Sequence, residues 1–198
     1  ILESSDGRIF ISTLVELAVY DEEKGEFRTV LSSVDGTMPA ASQCMMSFDD
    51  FWFATSSHLM KYDLATYELV DTVPLDGYFT CFSILTDEMI WMCGPGQVAI
   101  YDAHNRRFVD IPVGLKSHSL FNKAQVTYIF RWGATILLNT EKDGMFWYDE
   151  TNDVLCHQSE KGFPFELPDA KINTMFLDSN DNIWIGTYDQ GYHVIYAY

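Results

Sequence analysis

Basic residues are scarce in this chain of 198 residues: 12 Lys and Arg stand against 29 Asp and Glu, a formal net charge of −17. Neutralising phosphates needs a clustered cationic face, so the balance argues against nucleic acid as a partner. Long apolar runs are missing too. The best candidate, Val126 to Thr140, is interrupted by Arg131 and falls short of the roughly 18 uncharged residues a membrane helix requires, so no membrane contact is expected of this segment. Cysteine is sparse. Cys44, Cys81, Cys93 and Cys156 are widely spaced, form no C-x-x-C pair, and read as free thiols in or near a core. The opening Ile1-Leu2-Glu3-Ser4-Ser5-Asp6-Gly7 carries no initiator Met, no basic region and no apolar stretch, so any targeting signal is expected outside these residues.

Signatures of catalysis and of metal binding are lacking as well. The five histidines, His58, His104, His118, His157 and His193, show no H-x-x-x-H or H-x-E pairing. Asp178-x-Asn180-x-Asn182 begins like a calcium loop, but Ile183 stands where the turn glycine belongs and Asp189 where the final Glu belongs. Gly94-Pro95-Gly96 lacks the Lys-Ser/Thr of a phosphate loop and reads as a hairpin. No G-x-S-x-G elbow occurs, and the carboxylates are too numerous to single out a glycosidase pair. The expectation is a non-enzymatic segment with no catalytic residue, no metal site and no cofactor.

What is present is a core and a period. Apolar residues make up 47% and aromatic residues 15% of the chain, enough for a sizeable packed interior. Arg8 to Thr13 aligns with Asp50 to Thr55, Met89 to Gly94, Thr135 to Thr140 and Asn182 to Thr187, giving five repeats of about 40 to 47 residues. A second landmark keeps step: Tyr20-Asp21, Tyr62-Asp63, Tyr101-Asp102 and Tyr148-Asp149, with Tyr196 closing the series without its Asp.

Each copy reads as four short strands, with first strands such as Gln125 to Phe130 and Ile172 to Leu177 and fourth strands such as Glu26 to Leu31, Tyr67 to Thr72 and Arg107 to Ile111. The second strand is apolar at successive positions, the mark of burial on both faces. With no amphipathic helix between strands, the fold class is all-β, a β-propeller of about five four-stranded antiparallel blades at 1–40, 41–79, 80–124, 125–170 and 171–198, the first incomplete at its start and the last at its end. Phe10, Trp52, Trp91, Leu137 and Trp184 share one repeat position and are assigned to packing between blades. Asp21, Asp63, Asp102 and Asp149 sit where a strand turns over, where a carboxylate can accept from backbone N–H groups about two residues on.

The last repeat carries a resemblance. Gly162-Phe163-Pro164, Ala170-Lys171-Ile172-Asn173, Asp178-Ser179-Asn180-Asp181-Asn182-Ile183-Trp184-Ile185-Gly186-Thr187, Gly191 and Tyr196 together resemble the two-component regulator propeller repeat. The other copies are degenerate: the motif glycine becomes Ser12, Ala54, Cys93 and Asn139, and its threonine becomes Gly94 in the third. The resemblance implies the periplasmic part of a hybrid sensor histidine kinase and response regulator, of the kind best known from gut Bacteroides. Such parts detect glycan-derived ligands and signal across an inner membrane. It implies an oligosaccharide ligand and neighbouring blades of a longer parent. Kinase, receiver and DNA-binding domains are not in this chain, and no phosphotransfer residue is carried over. Ile1 to Ile9 aligns without a gap on Met175 to Ile183, so the chain reads as a piece of a longer array, with exposed sheet edges suited to self-association as a dimer.

A binding site is expected on loops at one end of the blades, where irregular backbone is mounted on rigid sheets. The longest connections, Val113 to Ala124 and His157 to Ala170, carry Lys116, His118, Phe121 and Asn122 and, on the second, Phe163, Phe165 and Glu166, the candidate ligand-binding residues. The same aromatic rings could instead staple the loops to the sheets, the alternative the sequence favours. Arg131 and Trp132 are placed in a turn between first and second strands, at the opposite end from those loops. Two other functions compete: a propeller enzyme such as a polysaccharide lyase or glycoside-acting protein, and a non-catalytic protein-interaction scaffold. The first would need polar groups on the first strands, which instead read as apolar at Cys44-Met45-Met46, Cys81-Phe82-Ser83-Ile84 and Tyr128-Ile129-Phe130.

Overall fold

The computed structural model describes residues 1–39, 43–47, 50–86, 89–167 and 171–196. The chain runs through β1 (Leu2–Glu3), β2 (Ile9–Ser12), β3 (Glu16–Asp21) and β4 (Glu26–Ser32), then β5 (Gln43–Met46), β6 (Asp50–Ala54), β7 (His58–Asp63) and β8 (Leu69–Pro74). It continues with β9 (Cys81–Thr86), β10 (Met89–Gly94), β11 (Gln97–Asp102), β12 (Arg107–Val109) and a short helix α1 (Val113–Ser117). Next come β13 (Val126–Trp132), β14 (Thr135–Thr140), β15 (Met145–Asp149) and β16 (Val154–His157), and last β17 (Ile172–Leu177), β18 (Ile183–Thr187) and β19 (Tyr192–Ile195). Each repeat is one up-and-down sheet: four sheets of four strands and, among the described residues, a last sheet of three. These are β-propeller blades, with antiparallel pairing between neighbouring strands among the described residues. The chain divides into two compact units, residues 1–84 and 85–198.

Packing between consecutive sheets follows from strand alternation, since successive side chains leave opposite faces. In the first unit Phe10 of β2 meets Phe51 of β6 edge-on, with ring centroids 5.0 Å apart and planes at 79°. Leu17, Phe53 and Tyr62 complete that core. In the second unit Trp91 lies against Tyr148 with centroids 6.3 Å apart, and Leu137 packs with Ile183 and Ile185. At Phe10, Trp91 and Leu137 the shared repeat position therefore faces the following sheet, while Phe51, Ile183 and Ile185, which flank it in their copies, face the preceding one. Trp52 is 1% exposed, with the Lys61 ammonium 5.6 Å from its ring centroid. Trp184 differs: it is 39% exposed, and its ring stacks on Tyr192 at 5.6 Å. No sheet follows β17–β19 among the described residues.

The turns between third and fourth strands share one construction. The carboxylate Oδ1 of Asp21 accepts from Lys24 N–H at 3.1 Å, that of Asp63 from Ala65 and Thr66 at 2.9 and 2.7 Å, that of Asp102 from Asn105 at 2.9 Å, and that of Asp149 from Thr151 and Asn152 at 2.9 and 3.1 Å. Four residues beyond each Asp the backbone takes a left-handed conformation, at Gly25 (φ 67°), Tyr67 (60°), Arg106 (54°) and Asp153 (51°). Only the first of these is glycine, so three copies hold a side chain where L-residues are strained.

Several local expectations change. The fourth strand expected at Tyr67 to Thr72 begins at Leu69 because Tyr67 belongs to the turn, and the one expected at Arg107 to Ile111 stops at Val109. Pro112 then caps α1, whose Gly114 N–H donates to Asp153 Oδ1 at 2.9 Å. Leu115 is buried at 1% exposure, so the connection from Val113 to Ala124 is not a plain loop. A 3-10 turn at Phe121–Lys123 follows. Arg131 and Trp132 end β13 rather than forming a turn, which falls at Gly133 (φ 56°). Nor is Trp132 remote from the long connection: the Phe165 ring meets it edge-on with centroids 5.4 Å apart.

Candidate ligand-binding site

The two longest connections are joined within the second unit. His118 Nε2 lies 3.2 Å from Glu160 Oε1, and Glu160 Oε2 accepts from the His157 backbone N–H at 3.1 Å. That N–H first, and His118 second, hold the Glu160 carboxyl below its usual range. The His118 and Phe121 rings both stand edge-on to Phe146, at 5.1 and 5.3 Å, and Phe121 is only 4% exposed. Asn122 donates its side-chain amide to the Lys116 carbonyl at 3.0 Å. Its own carbonyl passes so close to Gly96 that a Cβ there would sit 2.3 Å from the oxygen, and Gly96 takes φ 64°.

Phe163 and Phe165 pack edge-on with centroids 5.0 Å apart. With Glu166, Gln158, Glu160 and Leu167 they line a hollow of about 360 Å³. Beside it lies a cleft of about 540 Å³, lined by Asn139, Thr140, Lys142, Gln158, Lys171 and Asp189 among others; Gln158 and Leu167 belong to both. The geometry thus brings Phe163, Phe165 and Glu166 to a cavity, ties His118 to the same connection through Glu160, places Phe121 in the core, and leaves Asn122 beside the Gly96 hairpin, bonded to the Lys116 carbonyl. The cleft residues Asn139, Lys142, Gln158 and Lys171 were not singled out from sequence. One signal pointed to them: Asn139 occupies a position held by Ser, Ala, Cys or Gly in the other copies.

Gln158 fixes the cleft's floor. Its Oε1 accepts from Met145 N–H at 2.7 Å, and a Cβ on Gly144 would stand 2.6 to 2.9 Å from its amide atoms. At the far side Lys171 holds its ammonium 5.0 Å from the Tyr188 ring centroid. Among the described residues no group of three or more His, Cys, Asp or Glu is placed to hold a metal ion. No helix among them is long and apolar enough to cross a membrane.

Residues 166–189 match the two component regulator propeller family. No curated protein sequence matches the chain. Among solved structures, the chain is similar to the extracellular domain of the hybrid two component system BT3049 from B. thetaiotaomicron, with a TM-score of 0.67 and 18% identity over 98% of this chain and 26% of that one. It is similar also to the extracellular domain of the one component system BT4673 from the same organism, with a TM-score of 0.64 and 16% identity over 96% of this chain and 25% of the other. A computationally designed protein, Ika4, shares the fold with a TM-score of 0.54 and 12% identity, over 77% of this chain and 88% of that one. At these identities the likeness is one of fold, and the chain spans about a quarter of the length of the two bacterial structures.

Proposed function

We propose that this chain is part of the extracytoplasmic, periplasmic ligand-sensing region of a hybrid two-component sensor histidine kinase, and that it responds to glycan-derived ligands without catalysing a reaction on them. The observation that carries the reading is the regulator-propeller repeat at residues 166–189. The fold supports it, since two of the similar structures are extracellular domains of bacterial regulatory systems. Blades of this kind act as rigid bodies, so a ligand held by loops between two of them shifts a contact rather than a bond, and that shift biases a kinase across the membrane.

The test is a thermal-shift and calorimetric screen of the chain against neutral and acidic oligosaccharides, with product analysis after prolonged incubation. Saturable binding with intact sugars recovered is the expected result. Cleavage of any sugar would move the chain to the enzyme class, and absence of binding across the panel would remove the glycan assignment.

A further inference from the structure

The five copies can be compared at one position, the residue before the last of the second-strand block. It is Ser12, Ala54, Cys93, Asn139 and Gly186 in turn. In the last copy space is tight, since a Cβ on Gly186 would lie 2.8 Å from Thr174 Cγ2. Only the fourth copy carries a branched polar side chain there, and it is buried at 2% exposure behind Ile136, Leu137 and Leu138, all at 0%. A buried amide in such a strand costs stability unless its polar atoms are matched. Its Nδ2 donates to Thr127 Oγ1 at 3.0 Å and to the Thr140 carbonyl at 3.3 Å. Its Oδ1 accepts no hydrogen bond from the described residues, and Asn139 lines the cleft.

The rest of that cleft has the same character. Gln158 spends its Oε1 on Met145, and its amide N–H groups meet no acceptor among the described residues. Lys142 and Lys171, two of only 12 cationic side chains in the chain, stand at one cavity together with Asp189. Side chains that donate and accept in close mixture suit hydroxyl groups, each of which does both. The adjoining hollow adds the apolar rings of Phe163 and Phe165, and Gln158 is common to both. At about 540 and 360 Å³ each falls within the size range of small-molecule sites, roughly 300 to 1,000 Å³.

We infer that cleft and hollow form one two-part binding site for a short oligosaccharide, one sugar ring seated against Asn139, Gln158 and the lysines and the next laid on the Phe163–Phe165 shelf. The class of ligand rests on the sensor reading above; the place does not. Asn139 Oδ1 is the acceptor the cleft offers to a hydroxyl.

The experiment is calorimetric titration of the whole chain with a panel of neutral and uronate-containing di- to tetrasaccharides, repeated on variants with the best binder. Asn139→Ala installs the residue the second sheet carries as Ala54. It is expected to weaken binding at least tenfold, with Lys142→Ala and Lys171→Ala weakening it further for uronate-containing sugars than for neutral ones. Lys24→Ala, in the Asp21 turn of the first unit, is expected to leave affinity unchanged. Binding that survives Asn139→Ala, or the two exposed lysine variants should Asn139→Ala fail to fold, overturns the site and leaves the sensor reading standing. Binding by no panel member overturns the glycan reading itself, and the ligand assigned here with it.

Discussion

The Trp184 indole donates its Nε1 hydrogen to Asp178 Oδ2 at 2.9 Å, tying the second strand of the last blade to the turn that precedes it. The same carboxylate accepts from the backbone N–H of Asn180 and Asn182, each at 2.9 Å. Trp184 is thus held by its own turn, whereas Trp52, at the same repeat position, is held by burial.

The two tryptophans should respond differently to truncation. Trp52→Ala removes a ring that is 1% exposed, and should cost about 3 to 5 kcal/mol. Trp184→Ala should cost no more than about 1 kcal/mol. Urea denaturation followed by far-UV circular dichroism measures both; equal losses would contradict the packing rule drawn from the blades.

Acid should destabilise the turns. Asp178 is held down to about 2, first by the Trp184 indole and then by the Asn182 side chain. Asp63, Asp102 and Asp149 are lowered through bonds from Thr66, Asn105 and Asn152 respectively. A carboxyl depressed in the folded state contributes stability that is complete above its unfolded value, near 3.8 here, and is lost as pH falls through the folded value. The melting temperature should therefore stay level from neutral pH down to about 5 and drop as pH approaches about 2. A level profile throughout that lower range would refute the role of these carboxylates.

Arg106→Gly should stabilise the protein. Arg106 holds φ 54° at the position that Gly25 occupies in the first blade, and relief of left-handed strain outweighs the added freedom of the unfolded chain by about 0.5 to 1 kcal/mol. A higher urea midpoint with unchanged slope is the expected result.

Glu160→Ala should release both long connections. It removes the acceptor of His118 and of the His157 N–H, at a cost of about 1 kcal/mol for a pair whose carboxylate side is half exposed. Amide hydrogen exchange should quicken in 113–124 and 157–167 and nowhere else. Because the Glu160 carboxyl is lowered, the wild-type protection should persist above the ordinary carboxylate range and fade below it.

The blades were legible because two landmarks, the Ile-Trp-Ile block and Tyr-Asp, keep a common period, and their side chains have fixed duties on alternating faces. The left-handed turn residues were not, since Tyr67 and Arg106 give no chemical hint of φ, Asp153 only a weak one, and Gly25 alone a strong one. The helix α1 was missed because it spans five residues, too few for a periodic pattern to register. The cleft escaped for another reason. Asn139 reads in sequence as one more degenerate copy of a glycine, and its meaning depends on Gln158 and Lys171, which fold to it from the far side of a connection.

Gln158 touches both cavities and also anchors the first amide of β15. A guest drawing on that side chain would therefore perturb the Met145 proton directly, giving nuclear magnetic resonance a single backbone signal that reports occupancy from within the sheet ladder, with no label attached.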